Sequence, residues 1–336
     1  MNQNLEGNLH NESKRGENIR AGKSRWHQGF RVICFFLGLV LLLHGASIVV
    51  YAMECKNGKN CVGRNSKVFG IRNEKENSID VLVVGDSETY TSISPMQLYD
   101  ETGITSYISG QYGQKIGETK EAIRIALETQ KPKLILLETN VLYRSKGSAD
   151  GILSSSLEGL QSRFPIFQYH NAWKNVLTGK KSLENLKGFE IRKWCKAYTG
   201  GEYMEETSLH REIPKSIQKQ MDEIISLCKE NNVTLVLYSA PSPKNYDGEK
   251  HNGIERYANE KNLAYVDLNL KTSELEIDWA KDTADQGDHL NLSGAQKTTR
   301  FLGTYLKDQF DLEDHRGDEN LKEWDISLEE YHKKIA

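Results

Sequence analysis

The chain has 336 residues, 38% of them hydrophobic, enough for one full core with an insertion. A formal net charge of −3 excludes the electrostatic footprint of a nucleic-acid binder. The five cysteines, Cys34, Cys55, Cys61, Cys195 and Cys228, show neither CxxC spacing nor a Cys/His cluster, so no zinc site and no cofactor are expected.

Residues 1–31 are polar and lack periodic apolar residues, and so read as a disordered tail. They carry six basic residues against three acidic ones. The run from Val32 to Met53 has no formal charge and matches the roughly 20 apolar residues that a membrane span needs. No small-x-small cleavage site follows, so an uncleaved signal anchor is expected. Basic residues before the span and Glu54 after it put the N-terminus in the cytoplasm and the rest of the chain outside. His44, near the outer end of the span, reads as an interfacial residue. Residues 54–77 are rich in Lys, Asn and Gly and read as a linker. Cys55 and Cys61 within it either form a bridge or remain free thiols.

A soluble domain is expected over 78–310. Ile79 to Val84 is a short β-branched run of the kind buried in parallel sheets, and it ends at Gly85-Asp86-Ser87. Met96 to Glu101 reads as a short helix, and Thr105 to Ile108 as a second strand ending near Gly110. Glu118 to Gln130 has the apolar spacing of an amphipathic helix. Lys133 to Glu138 is a third strand, with Asn140 at its carboxyl end. Strand, helix and strand in this order call for right-handed crossovers and a parallel sheet, an α/β fold. A helix from about Pro214 to Lys229 leads to a strand at Val233 to Tyr238. His251 to Asn262 is helical, Leu263 to Leu268 is a last strand, and a helix from Gly294 to Leu306 closes the domain.

Residues 141–213 are too many for a simple connection and read as an inserted helical cap. The cap holds His170, Trp173, Trp194 and Tyr198, which line a substrate groove or form the insertion's own small core. Residues 311–336 form a charged, loosely held helical tail with Trp324 and Tyr331 as docking residues.

Gly, Asp and Ser are also ordinary turn residues, so Gly85-Asp86-Ser87 alone does not define a site. Its context does more. Ser87, Gly110, Asn140 and His289 each sit where a strand or loop reaches one edge of the expected sheet. Ligands bind at the carboxyl edge of such sheets. A serine nucleophile needs a base, the base needs a carboxylate, and the oxyanion needs donors. Ser87 and His289 fit the first two roles. The backbone amides of Ser87 and Gly110 and the Asn140 side chain fit the last.

These blocks together resemble the SGNH, or GDSL-type, hydrolase superfamily over roughly Ile79 to Leu306. The resemblance implies a three-layer α/β/α sandwich of flavodoxin-like type and a serine esterase or acyltransferase. Two departures stand out. The third block is Glu138-Thr-Asn140-Val rather than Gly-x-Asn-Asp, and the position three before His289 is Gln286 rather than Asp. The carboxylate partner is then Asp285, by a one-residue loop expansion, or the adjacent Asp288. Glu88 follows the serine where many members carry Leu.

A narrower resemblance is to membrane-anchored SGNH-like proteins that take part in lipoteichoic-acid D-alanylation and alginate O-acetylation. It implies a polysaccharide or teichoic-acid-like acceptor and an acyl donor delivered by a membrane-bound O-acyltransferase. The missing Asp also leaves open a non-catalytic polysaccharide-binding or scaffold role beside such a transferase.

Overall fold

The computed structural model describes residues 28–50, 52–53, 63–144, 166 and 186–336. His170 and Trp173 of the expected groove, and the Cys55–Cys61 pair, lie outside the described residues. Helix α1 (Gln28–Val50) has 23 residues. It is long and apolar enough to cross a bilayer as an anchor or to serve as a signal sequence. Its large side chains, such as Phe35, Leu41 and Leu42, are exposed rather than packed.

Among the described residues the remaining α-helices are α2 (Ser66–Gly70), α3 (Ser87–Ser92), α4 (Pro95–Thr102), α5 (Ile116–Leu127), α6 (Lys215–Glu230), α7 (Gly248–Lys261), α8 (Leu292–Gln309) and α9 (Lys322–Ile335). The strands among the described residues are β1 (Val81–Gly85), β2 (Ser106–Gly110), β3 (Leu134–Glu138), β4 (Thr234–Ser239) and β5 (Ala264–Asp267). They form one sheet in the order β2-β1-β3-β4-β5, and every neighbouring pair is parallel. β1, β2 and β3 are buried along their whole length, as expected for strands covered on both faces. The path steps from β1 out to β2, then back past β1 to β3 and onward. With right-handed crossovers this reversal puts α4 on one face and α5, α6 and α7 on the other. It also opens a crevice at the carboxyl ends of β1 and β3, the switch point of the topology.

Register sets what meets there. Val84 pairs with Leu137 and Gly85 with Gly110, so β1, β2 and β3 end together. Ser87, Gly110 and Asn140 therefore emerge along one edge. Gly85 has φ 151°, and a Cβ there would come within 2.7 Å of Glu138 Cβ and 2.8 Å of Thr89 Cγ2. Only glycine allows the chain to turn from β1 into α3 so close to β3.

Three boundaries differ from the sequence reading. The segment expected as linker, 54–77, is packed over its described part. Val68 and Ile71 are buried, and the Tyr107 hydroxyl donates to the Lys67 carbonyl at 2.8 Å. The polar composition hides these two apolar residues, so the packed domain begins before Ser78. The described end of the expected helical cap, 186–213, is extended and irregular. It forms a strap, and its main-chain bonds show why. Ile108 N donates to Lys187 O at 2.9 Å at the free edge of β2, and Glu190 N donates to Tyr90 O at 2.9 Å. Leu292 N donates to Arg192 O and Gln286 N to Lys196 O, both at 2.8 Å.

The charged C-terminal segment is the third difference. It ends in a docked helix rather than a loose tail. Trp324 and Tyr331 on α9 are 2% and 1% exposed, and Trp324 lies 5.2 Å from the Tyr99 ring centroid. Lys187 Nζ sits 4.6 Å over the Trp324 ring and 2.5 Å from Glu74 Oε2 in a buried ion pair. The strap, the stretch before β1 and α9 thus share one contact. Truncating a buried ring leaves a cavity, so Trp324→Ala should destabilise the domain by about 3–5 kcal/mol. Urea unfolding of the full-length protein measures this. A loss below about 1 kcal/mol would mean that α9 is dispensable to the core.

Candidate active site

The turn that carries Ser87, the candidate nucleophile, is built by its own residues. Asp86 is the N-cap of α3, and its Oδ1 accepts from Glu88 N at 3.0 Å. Its Oδ2 accepts from Asn140 Nδ2 at 3.0 Å and Arg144 Nε at 2.6 Å. With Asp86 fully buried, that geometry fixes Ser87 at the start of α3, itself 1% exposed. Gly110 lies against the same turn, where a Cβ would come within 2.2 Å of Thr89 Oγ1 and 3.2 Å of Asp86 O.

The candidate base, His289, comes from the loop before α8. Thr283 and Leu290 form an isolated antiparallel bridge, and Asn291 caps α8 by accepting from Gly294 N at 3.2 Å. Between them the chain makes room for an extra residue by taking Gln286 to φ 63° and Gly287 to φ 84°. The left-handed pair is stabilised by Thr283 Oγ1, which accepts from Gly287 N at 2.8 Å. A side chain at Gly287 would also run into the Tyr198 ring, 2.9 Å away.

This loop delivers His289 to Ser87. His289 Nε2 is 2.8 Å from Ser87 Oγ, and Nδ1 is 2.7 Å from Asp285 Oδ2. Asp285 Oδ1 also accepts from His289 N at 2.7 Å, so one carboxylate holds both the ring and the main chain of the base. Asp288 Oδ2 is 3.8 Å from Nδ1, beyond hydrogen-bond range. Of the two carboxylates left open by the sequence, the geometry pairs Asp285 with the imidazole. Partial burial raises the Asp285 carboxyl, but the hydrogen bond and charge of His289, helped by Arg192, hold it below the usual aspartate range. Arg192 Nη1 lies 3.6 Å from Asp285 Oδ2.

Asn140 is close by but turned. One N–H of its amide goes to Asp86, and its backbone N donates to Glu138 Oε2 at 3.0 Å. Arg144, Arg192 and Asn245 carry parts of the site that the sequence did not reveal. Each reaches it through a contact 43 or more residues away, or through a loop without a motif. Around the nucleophile turn, Asp86, Glu88 and Glu138 are all fully buried. Burial pushes the Glu88 carboxyl well above the usual range, and the charges of Asp86, Glu138 and Asp288 push it further against a weaker pull from Arg144. Burial and Asp86 raise Glu138 in the same way, although Tyr246 and two backbone amides donate to it. Among the described residues, Glu88, Asp288 and His289 have ligand atoms within 4.8 Å of one another. A metal ion bound there through the imidazole would displace Asp285 or Ser87, so the set does not fit a cation alongside the serine relay.

No family model matches the chain, and no curated protein matches it. Solved structures do. A GDSL-like lipase of Bacteroides thetaiotaomicron is 11% identical, with a TM-score of 0.35 over 68% of this chain and 87% of its own. An acetyl xylan esterase is 13% identical, with a TM-score of 0.35 over 68% of this chain and 98% of its own. Structural neighbours of the chain thus include GDSL-type proteins, the group its four sequence blocks resemble. At these scores the likeness carries no further argument, and the roles of the residues rest on the geometry.

Two outcomes test the site. In the turnover of a small ester, Asp285→Asn should cost about 10³- to 10⁴-fold by loss of the tautomer-fixing carboxylate, and Asp288→Asn less than about 10-fold. The second outcome concerns pH. Glu88 ionises near 4.5 in the unfolded chain but keeps its proton well above that when folded. Its contribution to stability is therefore complete below about pH 4.5 and declines as pH rises toward the folded value. Glu88→Gln abolishes that titration. Its melting temperature relative to the parent should climb steadily from acid to neutral pH, and a pH-independent difference would refute the assignment.

Proposed function

We propose that the protein is a serine-dependent O-acyltransferase or esterase, held by α1 at a membrane and acting outside the cytoplasm on cell-wall or exported polysaccharide. The observation that carries this reading is the unbroken relay from Ser87 Oγ through the His289 ring to Asp285, at 2.8 and 2.7 Å. The departure at Gln286 that favoured a non-catalytic role loses its force, because the expanded loop supplies the carboxylate from Asp285.

The chemistry follows from the distances. Ser87 Oγ attacks the acyl carbonyl while its proton passes to His289 Nε2. Asp285 accepts the Nδ1–H bond and stabilises the imidazolium. The tetrahedral oxyanion draws on the backbone N–H groups of Ser87 and Gly110 and on the second N–H of Asn140. Collapse of the intermediate breaks the bond to the donor's alkoxide, which takes the proton from His289 and leaves acyl-Ser87. A sugar hydroxyl, or water, then gives its proton to His289 and attacks the acyl carbon. Ser87 leaves and regains its proton. A membrane-bound O-acyltransferase is the proposed source of the acyl group.

A pocket of about 330 Å³ beside the base supports a sugar acceptor. Tyr198, Tyr203 and Trp279 line it together with Glu202, Thr272 and Ser273. Ring faces and hydroxyls of this kind suit a pyranose. Tyr198 lies against Gly287, so the pocket adjoins the loop that carries His289.

The test is covalent labelling. Full-length protein in detergent should react with a fluorophosphonate probe, and Ser87→Ala should not. His289→Ala should label about 10³-fold more slowly or worse. Equal labelling of parent and Ser87→Ala would remove the enzyme reading.

A further inference from the structure

The relay leaves Glu88, Asp288 and the loop after β4 without a task. Glu88 follows the nucleophile in sequence, and Asp288 precedes the base. Their side chains do not reach into the relay. Both meet the same amide. Asn245 Nδ2 lies 2.5 Å from Glu88 Oε1 and 2.8 Å from Asp288 Oδ1. It is also 2.9 Å from Ser242 Oγ, so one of its two N–H groups is shared.

We propose that Asn245 is a positioning residue that clamps the residue after the nucleophile to the residue before the base, and thereby holds Ser87 and His289 in register. The inference rests on the serine relay proposed above.

Three observations support it. The clamp selects the partner of the imidazole. With Asp288 Oδ1 engaged by Asn245, the other oxygen stays 3.8 Å from His289 Nδ1, while Asp285 sits at 2.7 Å. The clamp is also anchored. Asn245 N donates to Ser242 O at 3.0 Å, and Ser242 Oγ donates to the carbonyls of Asp288 at 2.7 Å and Gly287 at 3.1 Å. Ser242 N in turn donates to Asn269 Oδ1 at 2.9 Å. The loop after β4 therefore grips both the side chain and the main chain of the segment that presents His289. Finally, the chemistry of the joint calls for an amide. Glu88 is fully buried among Asp86, Glu138 and Asp288, and its Oε2 has no hydrogen-bond partner among the described residues. A neutral donor bridges two carboxyl oxygens there without adding charge. A carboxylate at 245 would face Asp288 with like charge, and an alanine would leave both acceptors without their donor.

The experiment uses full-length protein in detergent, p-nitrophenyl acetate as substrate, and fluorophosphonate titration to count active sites. Asn245→Ala should lower kcat per titrated site by about 10- to 100-fold with KM held within about twofold. Asn245→Asp should be at least as impaired. Combining it with Asp288→Asn reverses donor and acceptor across the same joint and should restore most of the lost kcat. A merely structural role would lower the melting temperature and the number of titratable sites but leave kcat per site unchanged. An unchanged kcat per site in Asn245→Ala would overturn the inference. So would a double variant no faster than Asn245→Asp, and this second comparison decides the matter even if the alanine variant fails to fold. If the parent is active and Ser87→Ala is dead while Asn245→Ala is fully active, only the positioning role falls. If the parent neither labels nor turns over, the relay falls and the clamp with it.

Discussion

The carboxylate of Asp86 is the constraint on which the site depends. It is completely buried, yet both of its oxygens are used. One caps α3 and so fixes the backbone on which Ser87 sits. The other holds the Asn140 amide and the Arg144 guanidinium. A buried carboxylate is tolerable only when it is paired and hydrogen-bonded in this way. The same group therefore ties the ends of β1 and β3 together at the switch point of the sheet. Gly85 makes the tie possible by letting the two chains pass at contact distance.

The candidate base is held by a different principle. His289 stands on a loop with no regular structure beyond one bridge, and its position comes from contacts with other segments. Asp285 grips it from within the loop. Arg192, on the strap, adds positive charge behind Asp285, and the strap's main chain bonds to Gln286 and Leu292 on either side. The strap itself is pinned at its other end by the Lys187–Glu74 pair under Trp324. Packing at the far edge of the sheet thus reaches the His289 loop through a single extended segment. This gives the docked C-terminal helix a place in the organisation of the site through the strap.

Electrostatics separates the acids by role. Asp285 is partly exposed and paired with His289 and Arg192, so it stays charged. Glu88 and Glu138 are fully buried beside Asp86, so their charged forms are disfavoured. Carboxyls of one site are therefore pushed in opposite directions, by solvent and neighbours. Asp285 serves the imidazole, and Glu88 and Glu138 serve as hydrogen-bonding parts of the wall.

Much of the architecture is written locally. The apolar runs that became β1, β3 and β4, and the amphipathic spacing of α5, depend on side-chain pattern and survive translation into three dimensions within three residues. Ser87, Gly110, Asn140 and His289 were legible because each lies at the end of a recognisable element in a known order. What stayed hidden depended on distance. Helix α3 is six residues of Ser, Glu, Thr and Tyr, with little helical preference, and exists because Asp86 caps it and the sheet surrounds it. Trp324 and Tyr331 sit in a charged stretch whose burial only a partner surface could reveal. The choice between Asp285 and Asp288 turned on two left-handed residues and on Asn245, which lies 43 residues from Asp288 in the chain. Local sequence determines which segments become strands and helices, because backbone preference and periodicity act over a few residues. Which side chains meet was decided only by the tertiary structure, because hydrogen-bond partners and burial are set by segments that the chain brings together from far apart.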